Sequence, residues 1–555
     1  MDYDFIIIGA GSAGCVVAHR LSEKERHRVL LLEAGPSDRR LFVQMPIGYG
    51  RTFHDPHVNW RYVTEPIPGL SGRTNYWPRG KILGGSSSIN AMVYIRGQKE
   101  DFDEWERLGN RGWGWKDVLR LYRTLEDHAL GESAEHGWGG PLHITDISAE
   151  AHPLCRVFIK AAEQAGLRFN NDLSGGSQEG AGYYQITTRA GLRLSAARAF
   201  LWGVRRRPNL RIETRAQASR IIFEGRRAVA VEYLQHGERR KARARREIIL
   251  SAGAVNSPQL LQLSGIGPAG LLRSLGIKVL CDAPAVGQNL QDHLCYDHIY
   301  RSRVPTLNDE LLPMMGKLKA GLRYILFRSG PLALSINQAG GFFRTSPPLS
   351  RPNMQLYFSP LSYEKTPPGT RALMKPDPFP GFGMSVSPCR PTSRGYLQIR
   401  GADPLLPPLI QPNYLSTNED IAEILDGARF LRRLATTSAL AAVIAAELKP
   451  GPGVVIDEEL LADIRAQAYS VFHPCGTCRM GNNPASCVVD ERLRVHQLSG
   501  LRVVDASIFP AVTSGNINGP CIMTGAKGAE LILEDLASPA GHGVNRSKRK
   551  KRKRT

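Results

Sequence analysis

The chain has 555 residues, 42% hydrophobic and 22% charged, which fits a soluble globular protein too long for one compact core, so two domains are expected. It carries 72 Lys and Arg against 51 Asp and Glu, a formal charge of +21, and eight of those bases lie between Arg546 and Arg554. No run of about 18 or more apolar residues appears, so no membrane span is expected. The remaining bases are dispersed and form no RRM, zinc-finger or basic-zipper pattern, which argues against a specific nucleic-acid surface.

The apolar opening from Phe5 to Ala18 is broken by three glycines and lacks a basic leader, so it reads as strand and helix and not as a signal peptide. Nine cysteines, an odd number, then point to reduced thiols and a cytoplasmic location, peripheral at most to the inner face of a membrane. Asp4–Gly9 has the continuous apolar character of a parallel strand buried on both faces, Gly14–Ser22 has helical spacing, and Arg28–Glu33 is a second buried strand. Helical spacing returns from Asp101 to Asp127, interrupted at Gly112–Trp115, and again from Pro153 to Gly166. Leu210–Thr214, Ala218–Phe223 and Ala228–Tyr233 alternate as a β-meander would. Glu247–Gly253 is a further buried strand, with a helix from Ser257 to Leu263.

Residues 300–460 are rich in Pro and aromatics with alternating strands such as Met354–Phe358, and suggest a second domain on an antiparallel sheet. After Pro474 the first style returns, with a strand at Leu501–Asp505 and a helix at Cys521–Leu536. The first domain is therefore expected to be discontinuous: residues 1–150, 201–300 and 461–537, with 151–200 and 301–460 forming the second domain. Residues 538–555 are expected to be a disordered basic tail with weak affinity for anionic membrane.

Gly9-Ala-Gly11-Ser-Ala-Gly14 carries a dinucleotide fingerprint: a tight turn, close backbone approach to a pyrophosphate, and close packing of helix on strand. Glu33, closing the second strand, is placed to accept from ribose hydroxyls. FAD and NAD share this pattern. The loop Arg79–Met92, with paired glycines and serines, offers N–H groups and hydroxyls to a polar ring or a second phosphate, or is an ordinary Gly/Ser loop. Near the end, His473 lies in the Gly/Pro-rich run His473–Gly481, and Asn516 in Ser514–Pro520; the pair suits holding an alcohol oxygen while its proton and hydride leave.

Arg79–Met92 resembles the first signature of the glucose–methanol–choline (GMC) FAD oxidoreductases, and Ser251–Gly267 resembles the second. Val286–His293, the His473 run and Val504–Ser507 match in the same order, and the likeness spans residues 4 to about 535, nearest the choline and alcohol dehydrogenase branch. The resemblance implies an α/β Rossmann-like FAD-binding domain with a parallel sheet, plus a substrate domain with an antiparallel sheet backed by helices. It implies that Gly9, Gly11, Gly14 and Glu33 hold the ADP half of FAD, with Ser12, Ala13 and Ala34 beside them and Ala218 near the adenine. Gly84, Gly85, Ser86, Asn90, Ala91, Met92 and Val93 would line the pyrophosphate and ring, with Ser251 and Gly253, while Asp505 and Ala506 close over the ribityl chain. His473 matches the catalytic histidine and Asn516 its partner, also set beside the flavin. Members with covalent flavin have histidine where this chain has Ile89, so noncovalent FAD is expected.

The implied reaction is oxidation of a primary alcohol, choline or another small or aliphatic one, to an aldehyde. The electron acceptor, whether a quinone, an electron-transfer protein or O2, is open, and so are an oxidase and a non-redox lyase of the same family. A quaternary ammonium substrate would need a cage, for which Trp60, Tyr62, Tyr363 and Glu364 are the candidates. Cys475 and Cys478 have C-x-x-C spacing but no second pair, and read as filler; no metal is expected. His293, beside Asp292, reads as a structural histidine under the flavin domain.

Overall fold

The computed structural model describes residues 2–364 and 375–537. The expected basic tail, 538–555, lies outside them. Asp2–Ile8, Val29–Leu32 and Leu210–Glu213 pair in parallel, and Asp2–Ile8 also pairs with the second half of the long strand Glu238–Leu250. Phe5, Ile6, Ile7 and Val29–Leu32 are essentially unexposed because helices cover both faces of a parallel sheet, hence their continuous hydrocarbon. Leu501–Val503 joins the other edge of Glu238–Leu250, so the end of the chain completes the sheet that the beginning started. The helix Asn518–Ala537 lies against Ser12–Leu21 so closely that a Cβ on Gly525 would stand 2.5 Å from the Ala13 carbonyl oxygen.

The expected meander is displaced by one strand. Leu210–Glu213 belongs to the parallel sheet, and the antiparallel meander is Ala216–Glu224, Arg227–Gln235 and the first half of Glu238–Leu250. That first half, Glu238–Lys241, is exposed and charged, so it lacks the apolar alternation that marks a strand.

The second sheet is antiparallel and has seven strands; its main path runs Ile444–Lys449, Leu294–Ser302, Gly381–Pro388, Met354–Ser359, Ala339–Phe343 and Gly180–Tyr183. The helices Leu154–Gln164 and Asn418–Ala435 contribute Phe158, Phe430 and Leu431 to the core behind it. Leu294–Ser302 runs across the expected boundary at residue 300, and Tyr469–Ser470 pairs with its start. The segment that carries His473 therefore leaves directly from the second sheet.

A buried polar network fastens the loop after Met92. Arg96 and Glu126 are both unexposed, and the Arg96 guanidinium donates to both Glu126 carboxylate oxygens and, at 2.8 Å, to the Glu135 carbonyl. Tyr94 donates to the same carboxylate. Burial alone would raise the Glu126 pKa, but Arg96 and the surrounding donors hold it down to about 2.

Candidate active site

One cavity of about 720 Å3 lies between the two sheets and brings together most of the expected site residues. Gly9, Gly11, Ser12, Ala13, Glu33, Ala34, Gly85, Ser86, Asn90, Ala91, Met92, Val93, Ala218, Ser251, Gly253, Asp505, Ala506, His473 and Asn516 all line it. Gly14 and Gly84 do not; they shape the wall from behind. A Cβ on Gly14 would stand 2.0 Å from the Gly9 carbonyl oxygen, and the Gly84 N–H donates to the Ala10 carbonyl at 2.7 Å. Gly85, with φ of +53°, passes so near Gly11 that a Cβ would approach its Cα to 2.7 Å.

The residues fit a dinucleotide. The helix Ser12–Leu21 starts without a side-chain cap, so its first amides and the positive end of its dipole are free for phosphate. Glu33 accepts from Ala10 N–H at 3.0 Å and Gly35 N–H at 2.8 Å, which clasps the glycine turn and turns the carboxylate toward the cavity wall. Burial pushes its pKa up to about 7, against those hydrogen bonds and Lys81. The Ser251 hydroxyl, buried in the same wall, has no hydrogen-bond partner among the described residues. Asp505 accepts from Gly253 N–H and Ser257 and so pins the loop Val504–Ser507 against the second signature segment.

His473 is held by its backbone. Its N–H donates to Asp292 Oδ1 at 2.6 Å, and Asp292 also accepts from the Ser470 and Tyr414 hydroxyls. Phe472, just before it, has φ of 68°, a strained value for a non-glycine. That conformation is braced by Ser470 Oγ, which accepts from its N–H at 2.7 Å, and by Arg79, which donates to its carbonyl at 2.7 Å.

A chain of three groups sets the histidine's tautomer. His293 Nε2 lies 2.9 Å from the Cys389 carbonyl, which only accepts, so that nitrogen carries the proton. His293 Nδ1 is then the acceptor for His473 Nδ1–H at 2.9 Å. The lone pair of His473 is left on Nε2, where Asn516 Nδ2 donates to it at 3.2 Å. Gln355 Nε2 donates to Asn516 Oδ1 at 3.1 Å and so orients that amide. Burial first, then His293 and Arg79, push the His473 pKa well below its ordinary value, so the imidazole is neutral near neutral pH. His293 therefore pairs with the candidate base and not with Asp292. Neither it nor Gln355 stands out by sequence spacing; the local signal was only that His293 closes a signature motif.

Cys475 and Cys478 are free, buried thiols of the main core. Serine at both positions is expected to leave metal content at background and cofactor content unchanged; bound zinc lost on substitution would overturn this. Among the described residues one group has metal-type donors, His128, His136 and Asp172. The two imidazoles are stacked 3.7 Å apart at 17°, so an ion about 2 Å from one nitrogen in its ring plane lies well out of the other ring's plane.

Residues 3–295 and 391–525 match the amino- and carboxy-terminal parts of the GMC oxidoreductase family. The chain belongs to that family. The alcohol dehydrogenase [acceptor] of Pseudomonas putida is 44% identical over 97% of this chain and 97% of its own length. The mitochondrial choline dehydrogenase of Mus musculus is 44% identical over 97% of this chain and 91% of its own. Among solved structures, pyridoxine 4-oxidase from Mesorbium loti superposes with a TM-score of 0.85 at 33% identity, covering 96% of this chain and 99% of that one. Formate oxidase gives 0.89 at 27%, covering 96% and 98%. The expected fold class, a Rossmann-like domain joined to an antiparallel substrate domain, is that of these GMC neighbours, and the chain is an oxidoreductase. Among the described residues no helix is long and apolar enough to cross a membrane.

Proposed function

We propose that this chain is an FAD-dependent alcohol dehydrogenase that oxidises a primary alcohol to an aldehyde, with His473 as the base and Asn516 as the oxyanion donor. The observation that carries the reading is the His473 Nε2 lone pair facing the Asn516 amide across the cavity wall. An alcohol hydroxyl that approaches both from the cavity takes over the Nε2 lone pair from the Asn516 amide, gives its proton to Nε2, and accepts from the Asn516 N–H as charge develops on the oxygen. FAD, when bound, supplies the hydride acceptor. His473 cannot pass a proton inward, because His293 ends on a carbonyl; the proton must leave by the cavity side. Ile89, a buried cavity-wall residue in the hydrocarbon cluster with Val43, Val58 and Ile82, offers no atom for covalent attachment, which supports noncovalent FAD. The dehydrogenase assignment is supported by the 44% identity to relatives so named, against 27–33% for the oxidases.

The substrate end of the cavity is walled by Tyr357, Leu361, Tyr363, Tyr469 and Val471, which favours an uncharged alcohol with an apolar group. Trp60 is a poor cage for a quaternary ammonium because the Lys81 ammonium already sits 4.4 Å from its ring centroid. Tyr62 does not line the cavity, and its hydroxyl oxygen instead accepts from the Asn256 side-chain amide at 2.7 Å; the Glu364 side chain is outside the described residues. Choline remains a second reading on one observation: Asp297 lies in the wall beside Tyr469, which donates to it at 2.8 Å.

An anaerobic visible spectrum of the purified protein, taken with a panel of primary alcohols, tests this. Bleaching of a flavin band by alkyl or aromatic alcohols is expected. Bleaching by choline alone would select the second reading, and a flavin that no alcohol bleaches would overturn alcohol oxidation.

A further inference from the structure

The surface carries one helix whose exposed side is the wrong one for water. Met314–Phe327 buries only Ala320 and Tyr324. Met314, Met315, Leu318, Leu322, Ile325 and Leu326 are each 59–75% exposed, and Phe327 beyond them is 73% exposed. At about 100° per residue those six fall within an arc of about 120°, opposite the buried pair. Lys317 lies on one flank of that arc and Lys319 and Arg323 on the other, and residues 311–330 contain no acid. Monomeric soluble proteins seldom leave so continuous an apolar stripe uncovered.

The basic rim continues onto neighbouring elements. Arg39, Arg198 and Arg205 surround the half-buried Trp202 with guanidinium carbons 5.0–5.5 Å from its ring. A shallow depression there is shared with Leu41, itself 65% exposed, and with Tyr324 of the helix. An apolar stripe bordered by Lys and Arg matches the boundary between acyl chains and anionic headgroups. A second copy of this chain is the poorer occupant, because a two-fold interface would set the same basic rims against each other.

We propose that the helix Met314–Phe327 docks this protein on an anionic lipid bilayer. The attachment points make the position consequential. Leu311, before the helix, packs on the cluster containing Tyr49, Met92, Ile336 and Leu361, and Leu334 and Ile336, after it, belong to that cluster. Tyr49, Met92, Ile336 and Leu361 are also cavity wall. The docked face thus sits next to the wall through which a lipid-partitioned alcohol or acceptor would reach the site.

The test uses the full chain and vesicles of phosphatidylcholine with and without about a third phosphatidylglycerol. Wild type should co-sediment with the anionic vesicles, and Leu318→Glu/Leu322→Glu should lower the bound fraction at least about tenfold with an unchanged melting temperature. Equal binding by the double variant would assign any attachment to diffuse charge or the basic tail and overturn the proposal. No binding by wild type would overturn it as well, as would a concentration-dependent dimer that the double variant abolishes. Loss of alcohol oxidation would leave this result untouched, since sedimentation needs no turnover.

Discussion

Alanine at position 473 is expected to leave FAD bound and to lower kcat by about 10²–10⁴-fold, the usual worth of a positioned base. The wall that would hold the cofactor is built from Gly9, Gly11, Ser12, Ala13, Glu33, Gly85 and Ser251, none of which depends on the imidazole, so flavin absorbance should persist. The same geometry fixes the wild-type pH profile. Burial, His293 and Arg79 depress the His473 pKa, so the neutral base persists as pH falls through 6.5 and is lost only further into acid. A plot of kcat/KM against pH should therefore be flat from neutrality down past 6.5 before it declines. A mutant with near-normal kcat, or an acid limb centred above 6.5, would remove His473 from the role of base.

Glutamine at position 126 is expected to destabilise the protein by about 3–5 kcal/mol, because it strands the fully buried Arg96 guanidinium without its counter-charge. Glu126 also accepts from Tyr94, so one substitution loosens both residues that follow the cavity-lining Val93. The folded pKa, about 2, is below the ordinary 4.5; the stabilisation is complete above 4.5 and fades as pH falls toward 2. A drop of roughly 10 °C in the lowest unfolding transition would match this size. The paired change Arg96→Met/Glu126→Leu should recover much of the loss, since hydrocarbon of similar volume fills the space without a charge to bury. A single-variant loss under about 1 kcal/mol would show that the network is dispensable.

The glycine turn at the proposed cofactor site is the most legible part of the sequence because its signal lies in one short run of residues. Gly9–Gly14 and Glu33 belong to one strand–helix–strand unit and meet through the Ala10 N–H to Glu33 hydrogen bond, and the glycine spacing announces close backbone approach. The strand Glu238–Leu250 was half hidden, since its first residues face solvent with charge on both sides, and the meander was misplaced as a result. The helix Met314–Phe327 left a signal that went unused: Met314, Leu318, Leu322 and Leu326 recur at four-residue spacing. What periodicity could not show is that this stripe points outward. His293 and Gln355 were illegible for a different reason. Their partners, His473 and Asn516, lie 180 and 161 residues away, and only the fold reveals which nitrogen each leaves free.

The first strand pairs with residues 243–250, which in turn pair with 501–503, while Gly525 fits against Ala13. On a ribosome adding ~5–20 residues per second, Phe5–Ile8 would wait roughly ten seconds or longer for Glu247–Leu250, and the sheet they form roughly half a minute or longer for Leu501–Val503. Throughout that interval an aggregation-prone apolar edge has been made and has no finished sheet to join. Production of this protein should thus be unusually sensitive to chaperone supply and to slow growth temperature, and a truncation anywhere before residue 501 should yield insoluble chain with no flavin, however intact its fingerprint.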